Sequence, residues 1–147
     1  MNILIISFVD DNFGDNLIRI CFESLLKIVL KNHNIRDYTI NRMNLKDIDN
    51  DLLISSNVIF FAGGGLFGLS YLNFYKYLDK ITQVADTYNI PVVFSSMGVN
   101  NMDVTKETEN KLVDILERKC IKAVSVRENE DLFRQYSAET SLIIDKV

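Results

Sequence analysis

Four of the chain's six glycines, Gly63, Gly64, Gly65 and Gly68, fall within six positions of the stretch VIFFAGGGLFGLS. Glycine is the costliest residue to order, roughly 0.5–1 kcal/mol worse than alanine inside a regular element. One glycine satisfies a turn. Three in a row, after an apolar run of strand type and ahead of a helix expected near Ser70, lay bare backbone N–H groups that can hold an anion. The donors on this reading are the amides of Gly64, Gly65 and Leu66. A turn requirement is the competing role, above all for Gly14 and Gly98, which stand singly.

A second chemistry-bearing loop is DDNFGDN, residues 10–16. Asp10, Asp11 and Asp15 would repel a phosphate there, whereas GGGLFG holds no acid. The anion is therefore expected at the triplet, and the first loop is expected to orient hydroxyls or take up a proton. Asp15 is either a base toward a hydroxyl or a plain helix N-cap. Arg127 ends an apolar strand at the same edge, and its guanidinium suits bidentate recognition of carboxylate or phosphate. Its other possible role is a salt bridge to Glu128, Glu130 or Asp131.

These side chains need a sheet to bring them together. Apolar or alternating runs predict strands near 3–8, 37–42, 58–62, 92–96, 122–126 and 141–145. Between them, DNLIRICFESLLKIVLK puts Leu17, Ile18, Cys21, Phe22, Leu25, Ile28 and Val29 on one helical stripe. YLNFYKYLDKITQVADTYN turns Phe74, Leu78, Ile81, Ala85 and Tyr88 inward, and TKETENKLVDILERKC is a helix capped by Thr105. Strands apolar on both faces and alternating with helices predict a Rossmann-like, doubly wound, mainly parallel six-stranded α/β sheet. The expected order is 2-1-3-4-5-6, in a single domain over 1–147. Every glycine then leaves the carboxyl end of a strand. Ligands of open α/β sheets bind at that edge where strand order reverses, here between strands one and three.

Several chemistries fail on the residues. Gly63-x-Gly65-x-x-Gly68 matches the dinucleotide pattern, but the next strand ends FSSMG without the acid that binds ribose. A phospho-accepting receiver needs an aspartate where this chain has Ala62 and a lysine where it has Arg127. No Gly-Lys-Ser/Thr follows the glycines, which excludes a P-loop. The one histidine, His33, sits in the polar loop KNHNIRD, so no metal or cofactor site is expected. Cys21 and Cys120 read as small buried hydrophobes, in keeping with a reducing cytoplasm. The net charge of −4 gives no reason to expect nucleic acid. The N-terminus lacks the basic region of a signal peptide, and no run suits a membrane span.

NFGD at Asn12–Asp15, GGG at Gly63–Gly65, Pro91-Val92-Val93 with Gly98, and SVRE at Ser125–Glu128 stand in one order along the chain. In that order they resemble the polysaccharide pyruvyl transferase family, with Asp145 in the place of a further strand-end acid. SMGVN departs from the pattern by one glycine. The resemblance implies the amino-terminal domain of a glycosyltransferase-B-type enzyme. It further implies transfer of pyruvyl from phosphoenolpyruvate to a sugar hydroxyl of a cell-surface polysaccharide. On that basis Asn12, Gly14, Gly63, Gly64, Gly65, Leu66 and Gly98 bind substrate, and Asp15 and Arg127 are catalytic. Only the first half of the family is covered, which implies a fragment or truncated relative incomplete for catalysis. A non-catalytic sugar- or nucleotide-sugar-binding module is the alternative. An uncovered carboxyl edge with Phe13, Leu66, Phe67, Leu69 and Met97 exposed would favour self-association there.

Overall fold

The computed structural model describes residues 1–8, 13–64, 72–98, 106–126 and 143–146. β1 (Asn2–Ser7), β2 (Thr39–Asn44), β3 (Val58–Ala62), β4 (Val92–Met97) and β5 (Ile121–Val126) form an all-parallel sheet in the order β2-β1-β3-β4-β5. The backbone of Ile143–Lys146, β6, pairs parallel along β5, with Ala123 opposite Ile143. Helices α1 (Phe13–Asn32), α2 (Asn50–Ile54), α3 (Leu72–Thr87) and α4 (Lys106–Leu116) alternate with the strands. This is a Rossmann-like α/β fold. No helix among the described residues is long and apolar enough to cross a membrane.

Alternation along β1 separates two cores. Leu4 and Ile6 face the larger one, with Phe61, Phe94, Tyr75, Leu78, Ile81 and Leu112. It is closed by α2, α3 and α4. Ile3 and Ile5 face the smaller one, which α1 covers through Leu30, Phe22 and Leu26. At roughly 1.5–3 kcal/mol for each large side chain removed from water, the α2–α3–α4 side carries most of the cohesion.

The packing of α1 corrects its expected inward stripe. The arc Phe22–Leu26–Leu30 meets the sheet, with Ile18 half-buried beside it. Leu17, Leu25, Ile28 and Val29 point to solvent, Leu25 at 62% exposure. Cys21 is exposed with them. The apolar periodicity is real, but it runs on two arcs of the helix, and only one of them meets the sheet. In α3, Tyr75, Leu78, Ile81 and Ala85 are buried as the helical period requires. Tyr88 is exposed because the helix ends at Thr87 and Asn89 turns left-handed at φ 55. Met97, expected at the surface, is fully buried. A register shift in the β4–β5 pairing between Phe94 and Met97, with Ser96 at φ 55, breaks the strand's alternation and directs Met97 into the larger core.

Cys120 is buried as expected. Its thiol is pushed up to about 12, first by desolvation and then by the Asp86 carboxylate. Asp86 also accepts a hydrogen bond from the Cys120 amide at 2.9 Å, and Arg118 binds Asp79 and Thr82. These contacts tie α3 to the turn that opens β5.

One charge lies under α1. Glu23, 8% exposed, accepts from Arg42 Nε at 2.7 Å and Nη2 at 2.6 Å, and from Lys27 Nζ at 2.6 Å. The Arg42 guanidinium holds the Glu23 carboxyl down at about 2 from 4.5, against the opposing effect of burial and with help from Lys27.

Two predictions follow from α1. A folded-state value below the unfolded one means that the Glu23 contribution is complete above about pH 4.5 and lost as pH falls toward 2. The stability difference between the parent and Glu23→Gln should be about 1–2 kcal/mol at neutral pH and close over that window in urea titrations. In the same measurement Leu30→Ala should cost about 2–4 kcal/mol, and Leu25→Lys should stay within about 0.5 kcal/mol of the parent.

Candidate functional site

Strand order reverses between β1 and β3, which pair directly with Ile6 opposite Phe61. The segment after β1 and the turn after β3 therefore emerge side by side at the carboxyl edge. One leads to β2 at the sheet border and the other to β4. The divergence opens the crevice that parallel sheets use for ligands.

The glycine turn is built against α1. Gly63 has φ 63 and Gly64 φ 84, the left-handed region that side chains rarely adopt. A β-carbon on Gly63 would lie 2.4 Å from Ile18 Cγ2. Ile18 is β-branched and stiff, so the helix passes over the end of β3 only because position 63 has no side chain. The Gly63 N–H donates to the Ser95 carbonyl at 2.8 Å, and the Gly98 N–H donates to the Gly64 carbonyl at 2.8 Å. Gly63 and Gly98 thus spend their donors inside the edge and hold the turn in shape. Among the described residues nothing accepts from the Gly64 N–H. It is the one described amide of the expected anion set.

Gly14 and Asp15 occupy the second and third positions of α1. Asp15 is therefore a first-turn acid and not the N-cap, and its carboxylate complements the positive end of the helix dipole. Asn12, Gly65, Leu66 and Arg127 lie outside the described residues, as do Thr105, Phe67 and Leu69. His33 stands in the exposed turn that follows α1, at the opposite edge of the sheet. Among the described residues no group of three or more histidine, cysteine, aspartate or glutamate side chains could hold a metal ion.

Three polar residues at this edge carry no motif that sequence reading could use. Ser96 keeps a left-handed backbone, at a cost of about 1–2 kcal/mol for a non-glycine residue. Its N–H is held by Ser125 Oγ at 2.8 Å. Ser7, at the end of β1, has a buried hydroxyl without a partner, and so does the Nε of Arg19 on α1. Only the tertiary fold brings these groups to the carboxyl edge.

No protein-family model, curated protein or solved structure matches this chain. The functional reading therefore rests on the site itself and on the motif resemblance.

The contact between Gly63 and Ile18 is directly testable. Gly63→Ala should destabilise by about 1–3 kcal/mol through the left-handed backbone alone, and by more through the clash. Adding Ile18→Ala should relieve the clash but not the strain. The double variant should then be more stable than the sum of the two single effects by at least about 0.5 kcal/mol, read from urea unfolding midpoints.

Proposed function

We propose that this chain is a pyruvyl-transferase-like domain that binds phosphoenolpyruvate at the crevice between β1 and β3 and presents a sugar hydroxyl to it. The observation that carries the reading is the juxtaposition of two motif-bearing segments. Phe13, Gly14 and Asp15 of the first motif open α1, Gly63 and Gly64 of the second follow β3, and the strands β1 and β3 are hydrogen-bonded neighbours. In this reading the domain is of the glycosyltransferase-B type, with β6 as the sixth strand of its sheet.

The chemistry follows from the donor and its leaving group. Phosphoenolpyruvate is a compact anion. Ketal formation adds a proton at its methylene carbon, joins its C2 to two sugar hydroxyl oxygens and releases inorganic phosphate, on which negative charge grows as the C2–O bond breaks. Amide donors of the glycine turn stabilise that charge without reorganising, because their backbone is fixed in advance. Gly64 supplies the described donor, with Gly65 and Leu66 continuing the set. Arg127 takes the carboxylate or phosphate through its planar fork. Asp15 accepts the proton of the attacking sugar hydroxyl. Gly14 and Asn12 allow the acceptor to approach the backbone. In this reading the described edge binds and orients the donor, and Asp15 serves the acceptor hydroxyl as its base.

Titration calorimetry with phosphoenolpyruvate tests the proposal. Saturable binding is expected, and Gly64→Ala should weaken it. Arg127→Lys keeps the charge and loses the fork, and should cost about 1–2 kcal/mol of binding. Asp15→Asn should leave donor binding in place. Binding of a saccharide without any phosphoenolpyruvate binding would instead favour a sugar-binding module. Parent-like affinity in both the Gly64 and Arg127 variants would overturn the assignment.

A further inference from the structure

A second polar cleft lies on the other side of β1, between α1 and the carboxyl ends of β1 and β2. It measures about 250 Å³ and is lined by Ser7, Arg19, Arg42, Met43 and Asn44. We propose that it binds a small oxyanion, with Arg19 and Ser7 as direct donors and Arg42 as the orienting cation. The proposal is independent of the pyruvyl-transfer reading, since it uses none of the residues assigned there.

The unmet hydrogen-bonding capacity of the walls carries the argument. Ser7 is 2% exposed, and its Oγ has no hydrogen-bond partner. Arg19 Nε is likewise buried, and among the described residues it has no partner and its guanidinium makes one long contact of 3.4 Å, from Nη2 to Asn16 Oδ1. A buried donor without an acceptor costs the desolvation of that group, and more when the group is charged. Two such donors lining one cleft call for an occupant that accepts from both.

Charge selects the occupant. Arg19 and Arg42 line this cleft and also an adjoining one of about 480 Å³ that adds Lys27 and Glu23. Among the described residues that line the two clefts, three cations meet one carboxylate. That carboxylate is spent on Arg42 and Lys27. The clamp engages Arg42 through Nε and Nη2, which fixes the guanidinium plane and leaves Nη1 for a ligand. A cation is repelled here. A neutral hydroxyl can exchange hydrogen bonds with Ser7 but leaves the guanidinium charges uncompensated. A phosphate or carboxylate group brings acceptors alone, and both fit the volume.

The test uses the full chain, isotopically labelled at nitrogen, with inorganic phosphate and acetate as probes at constant ionic strength. The Arg19 Nε–H resonance should shift saturably, with a midpoint on the order of 1 mM. Saturation by phosphate alone assigns a phosphorylated ligand, and saturation by acetate alone a carboxylate ligand. Either outcome supports the site. Arg19→Gln should weaken binding by about tenfold or more, as expected for a charged hydrogen bond. Ser7→Ala should weaken it by about three- to tenfold without lowering the melting temperature, because it deletes an unpaired hydroxyl. Arg19→Lys retains charge and loses Nε, so it should also bind more weakly. It keeps the question open to experiment if the glutamine variant fails to fold. Leu25→Lys, on the exposed arc of α1 and outside both proposed sites, should bind both probes as the parent does. Absence of saturation with both anions up to about 50 mM, well above the expected midpoint, overturns the proposal. So does parent-like binding in the Ser7 and Arg19 variants.

Discussion

Ile18 occupies the space that a β-carbon at position 63 would need, and the arrangement of the carboxyl edge depends on that packing. The helix can lie low across the end of β3 only over bare backbone. Lying low brings the first turn of α1, with Gly14 and Asp15, beside the segment that leaves β3. It also sets the depth of Arg19, one residue further along, between the helix and the sheet. A single missing side chain therefore positions both polar clefts that flank β1. The left-handed backbone of Gly63 and Gly64 is the local cost of that approach.

The far wall of the crevice is held by a different device. β4 and β5 fall out of register before Met97, and Ser96 absorbs the irregularity in a backbone conformation that serine disfavours. Ser125 Oγ fixes the displaced amide, and Gly98 returns the chain to the glycine turn through the Gly64 carbonyl. Strain at such a place persists only where the surroundings over-determine it. Here Met97 buried below and two hydrogen bonds above do so.

Period and punctuation made the sheet legible in the sequence. Continuous apolar runs such as ILIIS and VIFFA can only be strands covered on both sides, and the glycines fell where strands end. From these the parallel sheet and the adjacency of β1 and β3 could be read. The choice between the two apolar arcs of α1 could not, because periodicity says that a helix has a greasy side without saying how many elements share its layer. Met97 was misjudged because alternation assumes an unbroken strand. Asp15 was displaced from cap to first turn by a helix beginning two residues before it. Ser7 and Arg19 carry no motif, since their significance lies in what fails to meet them after folding.

The two faces of the sheet are unequally dressed. Among the described residues, α2, α3 and α4 share one layer and α1 packs on the other. Protein stability is not uniform, and an element with few packed neighbours opens below the global limit. α1 buries only Glu23 and Leu30 where α3 buries Tyr75, Leu78, Ile81, Thr82 and Ala85, so α1 is expected to open before the larger core. The glycine turn belongs to the stiff layer, and Asp15 and Arg19 belong to the soft one. A molecule held by both must pay the ordering entropy of α1, and any second molecule that meets the ordered helix is spared that cost. Occupants of the two proposed sites would in this way share the cost of ordering one helix, without a change of shape in either.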